Sequence, residues 1–174
     1  MHLKFAYLKF ALLAVAIPAF AGQALPPITV DQPADVIGGP MVVHAGQRSA
    51  TVVWLIRTAA LKNTGDPDQL RAMVKVNTKE YRDLAPGTEY DYEFRGADTV
   101  HARFRTAPAG QADFEFIVYG DTRSRDKVHQ QVVDALLKYN PEFVMHTGDV
   151  VANGTHTGKW QVFFDIEKQL LAKT

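Results

Sequence analysis

Two apolar runs in this chain end in the same way. FEFIVY, from Phe114, runs into Gly120-Asp121, and EFVMHT, from Glu142, runs into Gly148-Asp149. Nearly continuous apolar runs of this length suit strands covered on both faces, as in a parallel sheet. Between them KVHQQVVDALLKYN carries Val128, Val132, Val133, Leu136 and Leu137 as one apolar helical stripe. Asn140-Pro141 closes that helix, because proline cannot continue it and restricts the residue before it. Two strands joined by such a helix are expected to lie parallel in one sheet, with a right-handed crossover. Their carboxyl ends then share one edge, which is where open α/β sheets bind ligands.

That edge receives Asp121 and Asp149, each after a glycine that lets the backbone turn sharply. Neighbouring carboxylates repel, and a cation between them removes the cost; two hard oxygen donors suit a hard or borderline metal ion. Asp121 and Asp149 are therefore candidate metal ligands. An Asp after a strand also serves as a helix N-cap or turn former, and for either residue alone that reading stays open. A phosphoryl-accepting aspartate of the haloacid-dehalogenase kind would want a second Asp two residues on, where Arg123 stands. A GxxxxGK phosphate loop is absent. Arg123 is the candidate substrate-binding residue: it can clamp a phosphate or pair with an acidic neighbour. His146 reads as a core histidine within its strand, His129 as a helix residue near Asp121, and Asn153 as a turn residue before Gly154.

The preceding stretch has period two. In EYDYEFR, Tyr90, Tyr92 and Phe94 face one way and Glu89, Asp91, Glu93 and Arg95 the other. SATVVWLIR and ARFRT read as further strands, separated by turn signals at Asn63–Pro67 and Ala85–Thr88. The small, polar TAPAGQAD reads as a linker. His44 and His101 are isolated, with no partner at ligand spacing. The last amphipathic stretch, KWQVFFDIEKQLL, reads as a helix with Trp160, Phe163, Phe164, Leu170 and Leu171 in its core face.

Nineteen basic and nineteen acidic residues cancel, which argues against a nucleic-acid-coating surface or a polybasic membrane patch. With no cysteine, disulfides, zinc–thiolate sites and cysteine nucleophiles are excluded. MHLKFAYLK, the apolar FALLAVAIPAF and Ala19-Phe20-Ala21 form a signal peptide with a small-x-small cleavage site. The apolar core is too short to span a bilayer, and no membrane span is expected after cleavage. The mature chain is expected in the periplasm or outside the cell.

FIVYGDTRSR and HTGDVVANG resemble the first two motifs of calcineurin-like metallophosphoesterases, and LAPGTEYDY resembles the corner of fibronectin type III-like sandwiches. Together they are similar to the purple acid phosphatase arrangement. The resemblance implies a fibronectin III-like all-β sandwich over 22–108, after a signal peptide over 1–21. Over 109–174 it implies the β-α-β-α start of an α/β metallophosphoesterase domain. By it, Asp121 binds one metal and Asp149 bridges two, the ions being Fe, Mn or Zn in the divalent or trivalent state. The substrate is then a small phosphate mono- or diester. The chain departs from the pattern at Arg123, where the family has His or Gly, and at Ala152, where the purple enzymes have Tyr. No Gly-Asn-His or Gly-His-x-His occurs, so the chain reads as the amino-terminal portion of such an enzyme. The alternative class is a secreted binding or adhesion module with an inactive phosphoesterase remnant.

Overall fold

Three small sheets organise the described residues, and one of them joins strands that are far apart in sequence. The structure, a computed structural model, describes residues 23–174, so the signal peptide expected over 1–21 lies outside the described residues. β3 (Val36–Ala45), β4 (Ala50–Arg57) and β5 (Val74–Tyr81) form an antiparallel three-stranded sheet. β6 (Glu89–Arg95) and β7 (Thr99–Arg105) form an antiparallel pair. The short strands β1 (Gln23–Ala24) and β2 (Ile28–Thr29) both lie parallel to β6. β8 (Phe116–Tyr119) and β9 (Phe143–His146) form a separate parallel pair joined through α2 (Asp126–Tyr139).

The alternation read in EYDYEFR is realised: Tyr90, Tyr92 and Phe94 are buried, in a core with Val42, Val52, Tyr81 and Phe104. Trp54 packs edge-on against Phe94, with ring centroids 5.6 Å apart. The Tyr90 hydroxyl accepts the Ala85 N–H at 2.8 Å, so this phenol fixes the turn that precedes its own strand.

The expected plan, an all-β sandwich followed by a β-α-β-α unit, is not the architecture found. The chain is mixed α and β throughout. Its first part contains α1 (Pro67–Ala72), whose Asp66 N-cap accepts the Asp68 N–H at 2.9 Å and whose first residue is proline. That part also contains parallel pairings, since β1 and β2 both run alongside β6. The physical reason is that a period-two pattern assigns faces to a strand but says nothing about partners or direction. The closing helix α3 (Thr157–Leu171) does not serve β8 and β9 alone. Its Phe164 ring covers Gly38 of β3, and the Tyr92 hydroxyl of β6 donates to the Ala172 carbonyl at 2.7 Å. Lys168 meets Asp98 at 3.0 Å, and the Thr157 N–H donates to Asn63 Oδ1 at 3.0 Å.

Only one face of the β8–β9 pair is covered. Tyr119 and His146 look toward α3, whereas Phe116, Val118, Phe143 and Met145 on the opposite face remain exposed, joined by Phe114. Phe116 and Phe143 stack at 5.0 Å there. Parallel sheets are ordinarily covered on both faces, so this apolar patch is the most unusual surface of the described residues. No helix among them is long and apolar enough to cross a membrane.

Residues 108–113 are exposed and carry no regular structure. A protease is expected to nick the chain there. Because α3 grips β3 and β6, the two pieces should co-elute in gel filtration, and they should separate only under denaturant. Separation in native buffer would show that the α3 contacts are too weak to join them.

Candidate functional site

The parallel register sets the rim. Phe116 lies beside Phe143 and Tyr119 beside His146, so both chains turn at the same level. The Thr147 N–H donates to the Tyr119 carbonyl at 2.8 Å, and the Asp121 N–H donates to the Gly148 carbonyl at 3.1 Å. These bonds stitch the two turns together just beyond the sheet. Gly120 permits this approach: a Cβ placed there would collide with the Thr147 hydroxyl. Gly148, at φ 108°, adopts a conformation that other residues avoid.

Asp121 and Asp149 each have φ 55°, in the left-handed region. Asp tolerates that region better than most residues, yet two such positions facing each other are uncommon, and backbone outliers concentrate at functional sites. Both carboxylates reach one guanidinium. Arg123 Nε lies 3.2 Å from Asp121 Oδ1, and its Nη1 lies 2.9 Å from Asp149 Oδ2. The structure therefore brings Asp121, Arg123 and Asp149 together, with a cation already seated between the carboxylates. All three side chains are about half exposed or more, so this ion triad is screened by solvent and contributes little to stability.

Behind the rim, Thr122 points inward. Gly148 N–H donates to His146 Nδ1 at 3.1 Å, which leaves the proton on Nε2. Nε2–H then donates to the Thr122 hydroxyl at 3.1 Å, and that hydroxyl donates to the Val150 carbonyl at 3.2 Å. One imidazole thus clamps the turn carrying Asp121 to the turn carrying Asp149. Burial holds the His146 pKa below its ordinary value; His129 lowers it further, and Glu167 opposes both.

A second polar cluster lies deeper. Glu167 of α3 has a fully buried side chain. His129 Nε2 donates to its Oε1 at 2.6 Å, and the Tyr119 hydroxyl donates to its Oε2 at 2.8 Å. Burial first, and then the Glu167 carboxylate, push the Tyr119 phenol well above its usual range. His129 therefore serves the interior and not the aspartate edge. α2 correspondingly buries His129 and Val133, while Val128 and Val132, part of the expected stripe, stay exposed. Asn153 closes a local turn, its Oδ1 accepting from the N–H and hydroxyl of Thr155.

Glu167 is the residue that sequence reasoning missed. Its signal is visible in hindsight: it sits on the same helical stripe as Phe163, Phe164, Leu170 and Leu171, where a carboxylate needs a buried partner. Among the described residues no group of three or more His, Asp or Glu side chains converges as a metal cage. The fit to a metal is thus partial. Asp121 and Asp149 are two reachable hard donors for one cation, and the described residues add no third carboxylate or imidazole. No family model, no curated protein and no solved structure matches this chain.

Two outcomes test this geometry. Glu167→Ala removes one partner of a buried pair and is expected to cost about 3–5 kcal/mol in urea unfolding, with Glu167→Gln costing less. The lowered His146 pKa means that the unfolded chain takes up this proton first as pH falls through 6.5. Stability from His146 is therefore complete above that pH and declines below it. His146→Gln should show a shallower loss of stability between pH 7 and 5 than the parent, measured by urea midpoints. An unchanged slope would assign the acid sensitivity to other groups.

Proposed function

We propose that the chain carries one edge of an exported, metal-dependent phosphoesterase site. The observation that supports this reading is the pairing of Asp121 and Asp149. Both stand just beyond adjacent parallel strands, in the same left-handed conformation, close enough to share one cation. A metal ion held there would supply the Lewis acidity that a phosphoesterase needs to polarise a phosphate ester and activate water. Asp121 and Asp149 are the residues that would hold the metal. Arg123 supplies the cationic group for the phosphate oxyanion of a small mono- or diester. The described residues supply two of the ligands that such a site requires.

A competing reading, a secreted binding module with an inert remnant of such a site, is favoured by one observation. Arg123 already neutralises both carboxylates, as it would if no metal were ever bound.

Calorimetric titration of the full chain with Mn²⁺ separates the two readings. The phosphoesterase reading expects saturable binding that weakens about tenfold or more with Asp121→Asn and with Asp149→Asn. Turnover of p-nitrophenyl phosphate by this chain is expected to be slow or absent, because the second metal lacks ligands among the described residues. Mn²⁺ binding that ignores both substitutions would support the inert module.

A further inference from the structure

We infer that Asn153-Gly154 is a self-modifying site: the Gly154 nitrogen attacks the side-chain carbonyl carbon of Asn153, and Thr155 holds the oxyanion that forms. The product is aspartate or isoaspartate in the loop that joins the Asp149 turn to α3. The inference is independent of the phosphoesterase reading, since the reaction requires only this chain and water.

The attacking and receiving groups are both in place. A side-chain atom that meets a main-chain N–H must be an acceptor, so the Thr155 N–H at 3.0 Å fixes the Asn153 amide with its oxygen toward Thr155. Reaching the N–H two residues on folds the carboxamide back over the intervening peptide, which sets Cγ beside the Gly154 nitrogen. The Thr155 hydroxyl donates to the same oxygen at 2.8 Å. Two donors on one carbonyl oxygen polarise its carbon, and they are aimed where negative charge develops on attack. Gly154 is exposed, and its own N–H has no hydrogen-bond partner among the described residues. The carbonyls on either side are held, Asn153 O by the His156 N–H at 3.0 Å and Gly154 O by Trp160 Nε1 at 2.7 Å. The turn is thus fixed in place while the reacting nitrogen is free.

The bond between Gly154 N and Asn153 Cγ forms, the bond between Cγ and Nδ2 breaks, and the amide leaves as ammonia with the proton that Gly154 N gives up. Water then opens the cyclic imide at either carbonyl. Opening at Cγ gives an ordinary aspartate, which keeps both bonds from Thr155. Opening at the main-chain carbon reroutes the backbone through Cβ and Cγ, and the carbonyl that accepted the His156 N–H becomes a free carboxylate. Isoaspartate therefore lengthens the turn that leads into α3. The other asparagines lack these features. Asn140 precedes Pro141, which has no N–H to lose. Asn63 and Asn77 precede threonine, whose branched side chain crowds the nitrogen.

Peptide mapping by mass spectrometry, after the full chain has stood in mildly alkaline buffer at physiological temperature, tests this. Asn153 should convert about tenfold faster than Asn63 or Asn77, with isoaspartate recognised by enzymatic methyl labelling. Conversion should slow in mildly acidic buffer, where the Gly154 nitrogen keeps its proton. A Cβ at Gly154 would meet no neighbouring atom, so Gly154→Ala changes the reacting nitrogen and not the packing. It should slow conversion about tenfold or more. Thr155→Val, which loses the hydroxyl donor, should slow it severalfold, and Thr155→Ser should restore the parent's rate. Circular dichroism verifies that each variant is folded. Equal rates in Thr155→Val and the parent would overturn the oxyanion role of Thr155. An Asn153 that converts no faster than Asn63 and Asn77 would overturn the site itself.

Discussion

A carboxylate with no access to solvent governs how the last part of this chain is assembled. Glu167 sits in the middle of an otherwise apolar helix face, and an ionised carboxylate cannot be buried without partners at a cost of several kcal/mol. His129 of α2 and Tyr119 of β8 supply those partners from two other elements. Three elements are thereby held in one register by polar groups that tolerate little misplacement. The apolar packing around them, His129 on Phe163 and Phe163 against His146, is compatible with several helix rotations. The hydrogen bonds select one of them.

This cluster also reaches the rim. Tyr119 belongs to it and is the last residue of β8 before Gly120 and Asp121, while His146 is the last residue of β9. The two rings meet edge to face at 4.8 Å. His146 then passes the constraint outward through Thr122 and Gly148. Left-handed conformations at Asp121 and Asp149 are individually unfavourable and persist only where the surroundings over-determine them. Here the surroundings are identifiable: two backbone bonds between the turns, one imidazole engaged at both nitrogens, and a glycine whose missing Cβ leaves room for Thr147.

The rim was legible because it depends on short-range features: apolar runs, glycine, a helix of connecting length and the handedness of the crossover. Those placed Asp121 and Asp149 side by side. They also left Arg123 with two readings, and the ion pairs realise the acidic one. The rest was harder for specific reasons. Gln23–Ala24 and Ile28–Thr29 are too short to show a period, so their parallel alignment with β6 leaves no trace in the pattern. α1 lies in the stretch from Ala60 to Lys79, where a six-residue helix is announced only by Asp66 and Pro67. The face that α2 buries follows His129 and Val133 and not Val128 and Val132, because the partner that decides it, Glu167, lies on another helix.

The two polar clusters differ in a way that bears on function. Glu167, His129 and Tyr119 are mutually satisfied and shielded, so they specify structure and offer nothing to a ligand. Asp121, Arg123 and Asp149 are mutually satisfied but open to solvent, and their attraction is correspondingly weak. A folding clamp gains from burial, which strengthens each bond within it. A binding site gains from the opposite condition, since its internal bonds must yield to an incoming ion. The rim is thus the strained and exposed cluster, and the deep one is the scaffold that keeps it in place.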